Sequence, residues 1–130
     1  MGILLDTCAV LWSGLETGKL SPKAKQALQA GDERIAVNAV SAAEIACLQI
    51  RNRLVLPSHW KTWFRSAIDH NGWTVLPIEL AIIEEAYSLP GEFHDDPVDR
   101  ILVATARLKD LTLITSDQKI LAYPHVKTLW

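Results

Sequence analysis

Cysteine is scarce in this chain, which contains only Cys8 and Cys47. Each stands alone among small and aliphatic residues, so the sequence lacks the paired spacing of a disulfide framework or of a zinc site. We therefore predict that both cysteines are small buried residues with a structural role.

Long apolar runs are also absent. No stretch approaches the roughly 18 uninterrupted residues that a helix needs to cross a bilayer. Near the N-terminus, Asp6 interrupts a short apolar run, and no basic segment precedes that run, which is not the pattern of a secretory signal peptide. We therefore expect a cytoplasmic protein without membrane association.

The chain has no excess of positive charge. Its 13 Lys and Arg residues oppose 15 Asp and Glu residues, which gives a net charge of −2 at pH 7. Proteins that coat nucleic acid without specificity carry strongly basic surfaces, so this balance argues against that class. The balance neither supports nor excludes an enzyme that acts on nucleic acid at one site.

Short apolar segments alternate with amphipathic ones along the 130 residues. The segments with strand character are 2–6, 34–38, 73–76, 111–115 and 126–130. Helical spacing and capping residues predict helices that begin near residues 9, 22, 42, 59, 78, 97 and 117. This alternation predicts one α/β domain over residues 1–130, with a mainly parallel sheet of four to five strands and helices on both faces.

Local capping signals place several of these helix ends. Ser21 before Pro22 is typical of a helix start, and so is Asp96 before Pro97. The segment Ser41-Ala42-Ala43-Glu44 matches the capping box, which predicts a helix from there to about residue 53. We also predict Ser58 as an N-cap and Gly14 as a helix end.

Four acidic residues occupy equivalent positions in this pattern. Asp6 and Asp117 follow apolar strands, whereas Glu44 and Asp99 fall in the first turns of predicted helices. In a parallel α/β sheet, the C-terminal ends of strands and the N-termini of the following helices meet at one edge, where ligands bind. We therefore expect the four carboxylates to converge, although each also has an ordinary explanation as a cap, a turn residue or a complement to a helix dipole.

Such convergence has an electrostatic cost. Two carboxylates ~4 Å apart repel by about 4 kcal/mol at an effective dielectric constant near 20. A cluster of them requires shared protons or a bound cation, and a set of oxygen ligands suits Mg²⁺ or Mn²⁺ better than Zn²⁺. Such ions activate water for attack on a phosphodiester.

Four segments of the chain, in order, resemble the motifs of PIN-domain nucleases, in particular the VapC-type toxins of type II toxin–antitoxin systems. The segments are Leu4–Thr7, Ser41–Ala46, His94–Ala104 and Leu113–Asp117. The resemblance covers nearly the whole chain, and its motifs are specific as an ordered set. The sequence differs from the common pattern at Val98, where an aromatic residue is frequent, and at Thr105, where Gln is frequent. Neither difference removes an acid, so we interpret both as packing variation.

The resemblance implies a three-layer α/β/α fold and a metal-dependent endoribonuclease that hydrolyses RNA through a metal-activated water. It makes Asp6, Glu44, Asp99 and Asp117 the catalytic ligands of Mg²⁺, with Mn²⁺ as a substitute. It further implies a homodimer that is inhibited by a cognate VapB-like antitoxin.

Neighbouring residues have secondary roles in this hypothesis. Asp96 is expected to be an outer-sphere residue or an N-cap, and Thr7 and Ser116 to hydrogen-bond a ligand or a metal-bound water. For Arg100 we consider two roles equally: it contacts a scissile phosphate, or it pairs with a nearby acid. For His94 we expect a local hydrogen bond, with a general-acid role as the alternative.

Three other classes of protein compete with this hypothesis. A signalling receiver domain needs a second acid after its first strand and a Lys after its last, and neither is present. A phosphatase with an aspartyl nucleophile needs Asp-x-Asp, but residue 8 is Cys. The remaining alternative is a non-catalytic PIN-like binding or interaction module, against which the four retained acids count.

Overall fold

Five parallel strands form the central sheet, in the order β3-β2-β1-β4-β5. The structure is a computed structural model, and it describes residues 2–31 and 33–130. The strands are β1 Gly2–Leu5, β2 Arg34–Asn38, β3 Thr74–Leu76, β4 Leu111–Ile114 and β5 Thr128–Leu129. Every paired strand is parallel to its neighbour, which confirms the predicted sheet.

Seven α-helices connect and flank the strands in the part of the chain that the structure describes. They are α1 Thr7–Leu15, α2 Pro22–Gln29, α3 Ala39–Ile50, α4 Trp60–Asn71, α5 Leu80–Ala86, α6 Pro97–Leu108 and α7 Gln118–Leu121, and a 3₁₀ turn spans Thr17–Lys19. None of these helices is long and apolar enough to cross a membrane.

The central strand β1 separates two apolar cores. Ile3 and Leu5 pack in a cluster with residues of α1, α2 and α4, whereas Leu4 packs in a second cluster with residues of α5 and α6. Successive side chains of a strand point to opposite faces, and a parallel sheet that is covered on both faces needs apolar residues at every position. This arrangement confirms the three-layer α/β/α fold.

Capping chemistry explains where several helices begin. Ser21 Oγ accepts a hydrogen bond from the Ala24 N–H at 3.0 Å, with Pro22 as the first helical residue, as predicted.

The predicted capping box at Ser41–Glu44 is wrong, because α3 begins at Ala39. Asn38, the last residue of β2, caps that helix through a 2.8 Å bond from the Val40 N–H. Glu44 therefore lies in the second turn and has no capping role.

Two further local predictions differ from the structure. The cap of α4 is His59 rather than Ser58, since His59 Nδ1 accepts from the Lys61 N–H at 3.3 Å. Gly14 does not end α1, which continues to Leu15. It allows a close helix contact instead, because a Cβ at this position would lie 2.8 Å from Cζ2 of Trp63.

The prediction that both cysteines are buried is wrong, because Cys8 and Cys47 are exposed free thiols. Cys8 is the second residue of α1 and faces the edge of the sheet where that helix begins. The small size of cysteine and the apolar residues around it therefore do not predict burial at either position.

Candidate metal and nucleic-acid site

The structure brings the four predicted acids together at the C-terminal edge of the sheet. They line one cavity of about 210 Å³. The residues around it are Asp6, Thr7, Cys8, Glu44, Asp96, Asp99, Ser116 and Asp117. A wider depression of about 490 Å³ adjoins the cavity, shares three of its acids and adds His94, Asp95, Gln118 and Lys119.

Asp6 is the most buried of these acids, with 6% of its surface exposed. It follows β1 and caps α1, since its Oδ1 accepts from the Ala9 N–H at 2.8 Å. Burial raises the pKa of Asp6 to about 6, against the opposing hydrogen bonds from the Thr115 hydroxyl and the Ala9 N–H. The charges of Asp99 and Glu44 raise this pKa further, so the carboxylates interact before any cation binds.

Asp117 and Asp96 each cap a helix at the rim of the cavity. Oδ1 of Asp117 accepts from the N–H groups of Lys119 and Ile120 at 2.8 and 3.1 Å, and Oδ1 of Asp96 accepts from the Val98 N–H at 2.9 Å. These caps confirm the predicted starts of α7 and α6. In both residues the bonds use the same carboxylate oxygen, so capping orients the group without involving the other oxygen.

Asp99 is the third residue of α6 and pairs with a histidine from the preceding loop. His94 Nε2 lies 2.6 Å from Asp99 Oδ2. An ionised carboxylate only accepts hydrogen bonds, so Nε2 carries the proton in this pair. Burial raises the pKa of Asp99, the hydrogen bond from His94 opposes that rise, and the charges of Asp96 and Asp117 add to it.

The pKa of the Cys8 thiol reflects the charges of the acids around the cavity. Loss of water around its sulfur raises the pKa of Cys8 to about 11, and the four predicted ligands, Asp6, Glu44, Asp117 and Asp99, each raise it further. The field of all four carboxylates thus reaches a single point. At neutral pH the thiol is protonated, which leaves the carboxylate oxygens as the anionic ligands of the cavity.

Thr7 and Ser116 lie at the cavity, as the sequence predicts, but Thr7 makes a different contact from the expected one. Its Oγ1 donates to Ser41 Oγ at 3.1 Å, which ties the first turn of α1 to that of α3. Ser116 lines the cavity between Thr115 and Asp117.

Arg100 is not among the residues that line the cavity or the adjoining depression. Its guanidinium donates to three backbone carbonyls instead. The neighbouring acid, Asp95, is fully exposed and only approaches Arg100 to 4.0 Å. The structure therefore shows Arg100 held against the backbone, and it does not test the predicted contact with a scissile phosphate.

Two buried residues that support the site escaped the sequence analysis. The Thr115 hydroxyl accepts from the Asp117 N–H at 3.0 Å and hydrogen-bonds the Asp6 carboxylate, so it connects two acids. Asn38 caps α3 and also donates from Nδ2 to Thr105 Oγ1 at 2.9 Å. The available signal was their position, because each is a polar residue where an apolar strand ends.

The cavity suits a hydrated divalent cation. Among the described residues, no group of three or more Asp, Glu, His or Cys side chains is arranged so that it could hold a metal ion by itself. Mg²⁺ does not require such a group, because it keeps several water ligands and binds through one or two carboxylates. Repulsion among the acids gives such an ion an electrostatic reason to bind, and the oxygen donor set matches Mg²⁺ or Mn²⁺.

Comparison with known proteins places this geometry in a family. The PIN domain family matches residues 3–126. The chain is also 32% identical to Ribonuclease VapC22 of Mycobacterium tuberculosis strain ATCC 25618 / H37Rv, over 98% of this chain and 98% of that protein.

Solved structures share the same fold. The chain superposes on VapBC2 from Rickettsia felis bound to a promoter DNA fragment with a TM-score of 0.69 and 16% identity, over 99% of this chain and 98% of that one. The TM-score is 0.66, at 18% identity, for Mycobacterium tuberculosis VapC20, described as a sarcin-ricin loop cleaving toxin, over 97% and 98% of the two chains. The extent of the family match and of the identity to VapC22 shows that the chain belongs to the PIN domain family.

Proposed function

We propose that this protein is an endoribonuclease that hydrolyses RNA phosphodiester bonds with Mg²⁺, for which Mn²⁺ can substitute. The observation that carries the proposal is the convergence of Asp6, Glu44, Asp99 and Asp117 on one cavity. The relative at 32% identity is named a ribonuclease, which supports RNA as the substrate.

The four acids hold the cation in this proposal. Such an ion, when bound, would supply a water of lowered pKa and would neutralise charge on the phosphate. Asp6 and Asp117 are oriented by their capping bonds, and Glu44 projects from the second turn of α3. Asp99 is oriented by His94. Asp96 caps α6 and lines the cavity, which favours an outer-sphere role over direct ligation.

The same proposal includes regulation by a partner. We expect a VapB-like antitoxin to inhibit the protein, because complexes described as VapBC or toxin–antitoxin complexes share its fold. A homodimer and a cytoplasmic location, where RNA is available, complete the proposal. To test whether such a partner exists, the protein is co-expressed with a small DNA-binding protein encoded by a neighbouring open reading frame, and a complex of the two is isolated.

An RNA cleavage assay tests the catalytic proposal. Purified protein is expected to cleave RNA with Mg²⁺ or Mn²⁺ and to stop when a chelator is added. Asp99→Asn is expected to abolish cleavage, whereas Asp69→Asn, on the exposed surface of α4, provides a matched control that retains it. Full activity in folded Asp99→Asn protein would remove Asp99 from the catalytic set. Metal binding without any RNA cleavage would favour the non-catalytic binding module.

A further inference from the structure

The Arg100 side chain is held by the backbone that precedes α6. Its Nε donates to the carbonyl of His94 at 2.9 Å, Nη1 to that of Ala86 at 2.9 Å and Nη2 to that of Phe93 at 2.8 Å. Only 16% of the side chain is exposed. A guanidinium presents its donors in a rigid plane, so three carbonyls at these distances fix both the side chain and the loop.

Aromatic packing also holds this loop. The guanidinium carbon of Arg100 lies 5.4 Å from the ring centre of Tyr87 and 6.0 Å from that of Phe93. The Phe93 ring in turn packs 4.3 Å from the His94 ring and 4.8 Å from that of Tyr123. Cation–π and aromatic contacts of this kind add to the hydrogen bonds that fix the loop.

We call Arg100 and its three carbonyl partners, those of Ala86, Phe93 and His94, the clamp. The clamp lies next to one of the proposed metal ligands. Arg100 fixes the carbonyls of both Phe93 and His94, and the His94 imidazole lies 2.6 Å from the Asp99 carboxylate. Asp99 and Arg100 are adjacent in the first turn of α6, so one turn of helix holds the ligand and the group that places its hydrogen-bond partner.

We propose that Arg100 is a positioning residue for the metal site, which holds the His94 imidazole on Asp99 and thereby fixes the orientation of that carboxylate. The proposal rests on the proposed function, in which Asp99 is a metal ligand. Partners that orient the ligands of a metal typically change its affinity by 10- to 100-fold when they are lost. Arg100 itself contacts neither substrate nor metal in this proposal.

The competing explanation is a purely structural role, in which Arg100 only ties the loop to the end of α5 through the Ala86 carbonyl. That role predicts a loss of stability that is independent of His94. The positioning role predicts instead that the effect of changing Arg100 on metal affinity depends on His94.

A double-mutant comparison separates these roles. The variants are Arg100→Lys, His94→Ala and the two combined, with Arg107→Lys as the matched control. Arg107 lies on the same helix and also bonds a carbonyl, that of His125, but it pairs with Glu85 away from the acidic cavity. Lys cannot reproduce the planar fork of Arg, so Arg100→Lys removes the clamp and keeps the charge. Mn²⁺ affinity is measured by calorimetry on the full chain without RNA.

We expect Arg100→Lys and His94→Ala each to weaken Mn²⁺ binding by about tenfold or more. Arg107→Lys is expected to leave the affinity within about twofold, and the double variant to be no weaker than His94→Ala alone, because the two residues act in series. Independent, multiplying losses from the two changes would overturn the proposal. So would an Arg100→Lys affinity equal to that of the control.

Two further results keep the test decisive. If Arg100→Lys does not fold, His94→Ala, which leaves all three carbonyl acceptors in place, still tests the link, and unchanged Mn²⁺ affinity in that variant overturns it. RNA cleavage by wild-type protein is scored separately. Failure to cleave RNA with the expected Mn²⁺ pattern intact would overturn only the proposed function. Metal-dependent cleavage by a wild-type protein whose Arg100→Lys variant binds Mn²⁺ as tightly as Arg107→Lys would overturn only the role of Arg100.

Discussion

Asn38 Nδ2 donates to Thr105 Oγ1 at 2.9 Å, and both side chains are completely buried. The Thr105 hydroxyl donates a hydrogen bond to the Ile101 carbonyl at 2.7 Å, while Asn38 Oδ1 caps α3. The pair therefore joins the start of the helix that carries Glu44 to the middle of the helix that carries Asp99. The bond thus links the two helices that carry Glu44 and Asp99, two of the four proposed metal ligands.

Thr105→Val removes the hydroxyl at almost constant volume and leaves the buried Asn38 amide without this partner. An unsatisfied buried donor costs about 1–3 kcal/mol, so we expect the free energy of unfolding in urea to fall by that amount. Thr105→Ser keeps the hydroxyl and serves as the control. Equal stability of the Val variant and the wild type would show that the bond contributes nothing to the fold.

Local chemistry made parts of the fold predictable from sequence. The α6 start at Asp96-Pro97 and the α7 cap at Asp117 both follow from a side chain that satisfies nearby backbone N–H groups. The convergence of the four acids also followed, because parallel topology alone brings strand ends to one edge.

Predictions were wrong or missing where the deciding partner is distant in sequence or in an adjacent element. The start of α3 was placed late because Asn38 ends a strand and caps the helix at the same time. The Arg100 bonds go to backbone carbonyls in a loop, and every residue has a carbonyl, so no residue type marks them. The exposure of Cys8 depends on which side of α1 faces the cavity.

Asp6→Asn is expected to stabilise the metal-free protein at pH 7.5. The pKa of Asp6 is about 6 in the folded protein and 3.8 without burial, so the native state binds more protons in that interval and stability falls as the pH rises through it. Removing the charge recovers roughly 3 kcal/mol at most, since one pKa unit equals about 1.4 kcal/mol. Asn retains an oxygen to cap α1.

Urea unfolding in the presence of a chelator measures this effect, with Asp69→Asn as the control. The difference between Asp6→Asn and wild type is expected to shrink as the pH approaches 4, where the wild-type carboxyl is also neutral. A variant that is less stable than wild type at pH 7.5 would show that the Asp6 charge does not strain the metal-free fold.

Mg²⁺ is expected to raise the melting temperature of the wild-type protein at pH 7.5, because a ligand that binds only the native state stabilises it. This increase should diminish below about pH 6. Burial raises the pKa of Asp6 to about 6, so protons compete with Mg²⁺ for the Asp6 carboxylate at lower pH. Melting curves with and without millimolar Mg²⁺ between pH 5 and 8 provide the measurement. If Mg²⁺ raised the melting temperature equally at pH 5 and pH 8, metal binding would not depend on the ionisation of Asp6.

Asp117→Asn is expected to accelerate alkylation of Cys8. The Asp117 charge is one cause of the raised pKa of Cys8, so its removal increases the small thiolate fraction that reacts at pH 8. Cys47 is an exposed free thiol on α3 and provides an internal reference in the same sample. Peptide mass spectrometry over a time course of iodoacetamide labelling gives both rates. We expect the Cys8 rate to rise relative to that of Cys47, since thiolate population controls the reaction. An unchanged ratio of rates would mean that the Asp117 charge does not reach the Cys8 sulfur, and that the acids are less strongly coupled than the cavity geometry indicates.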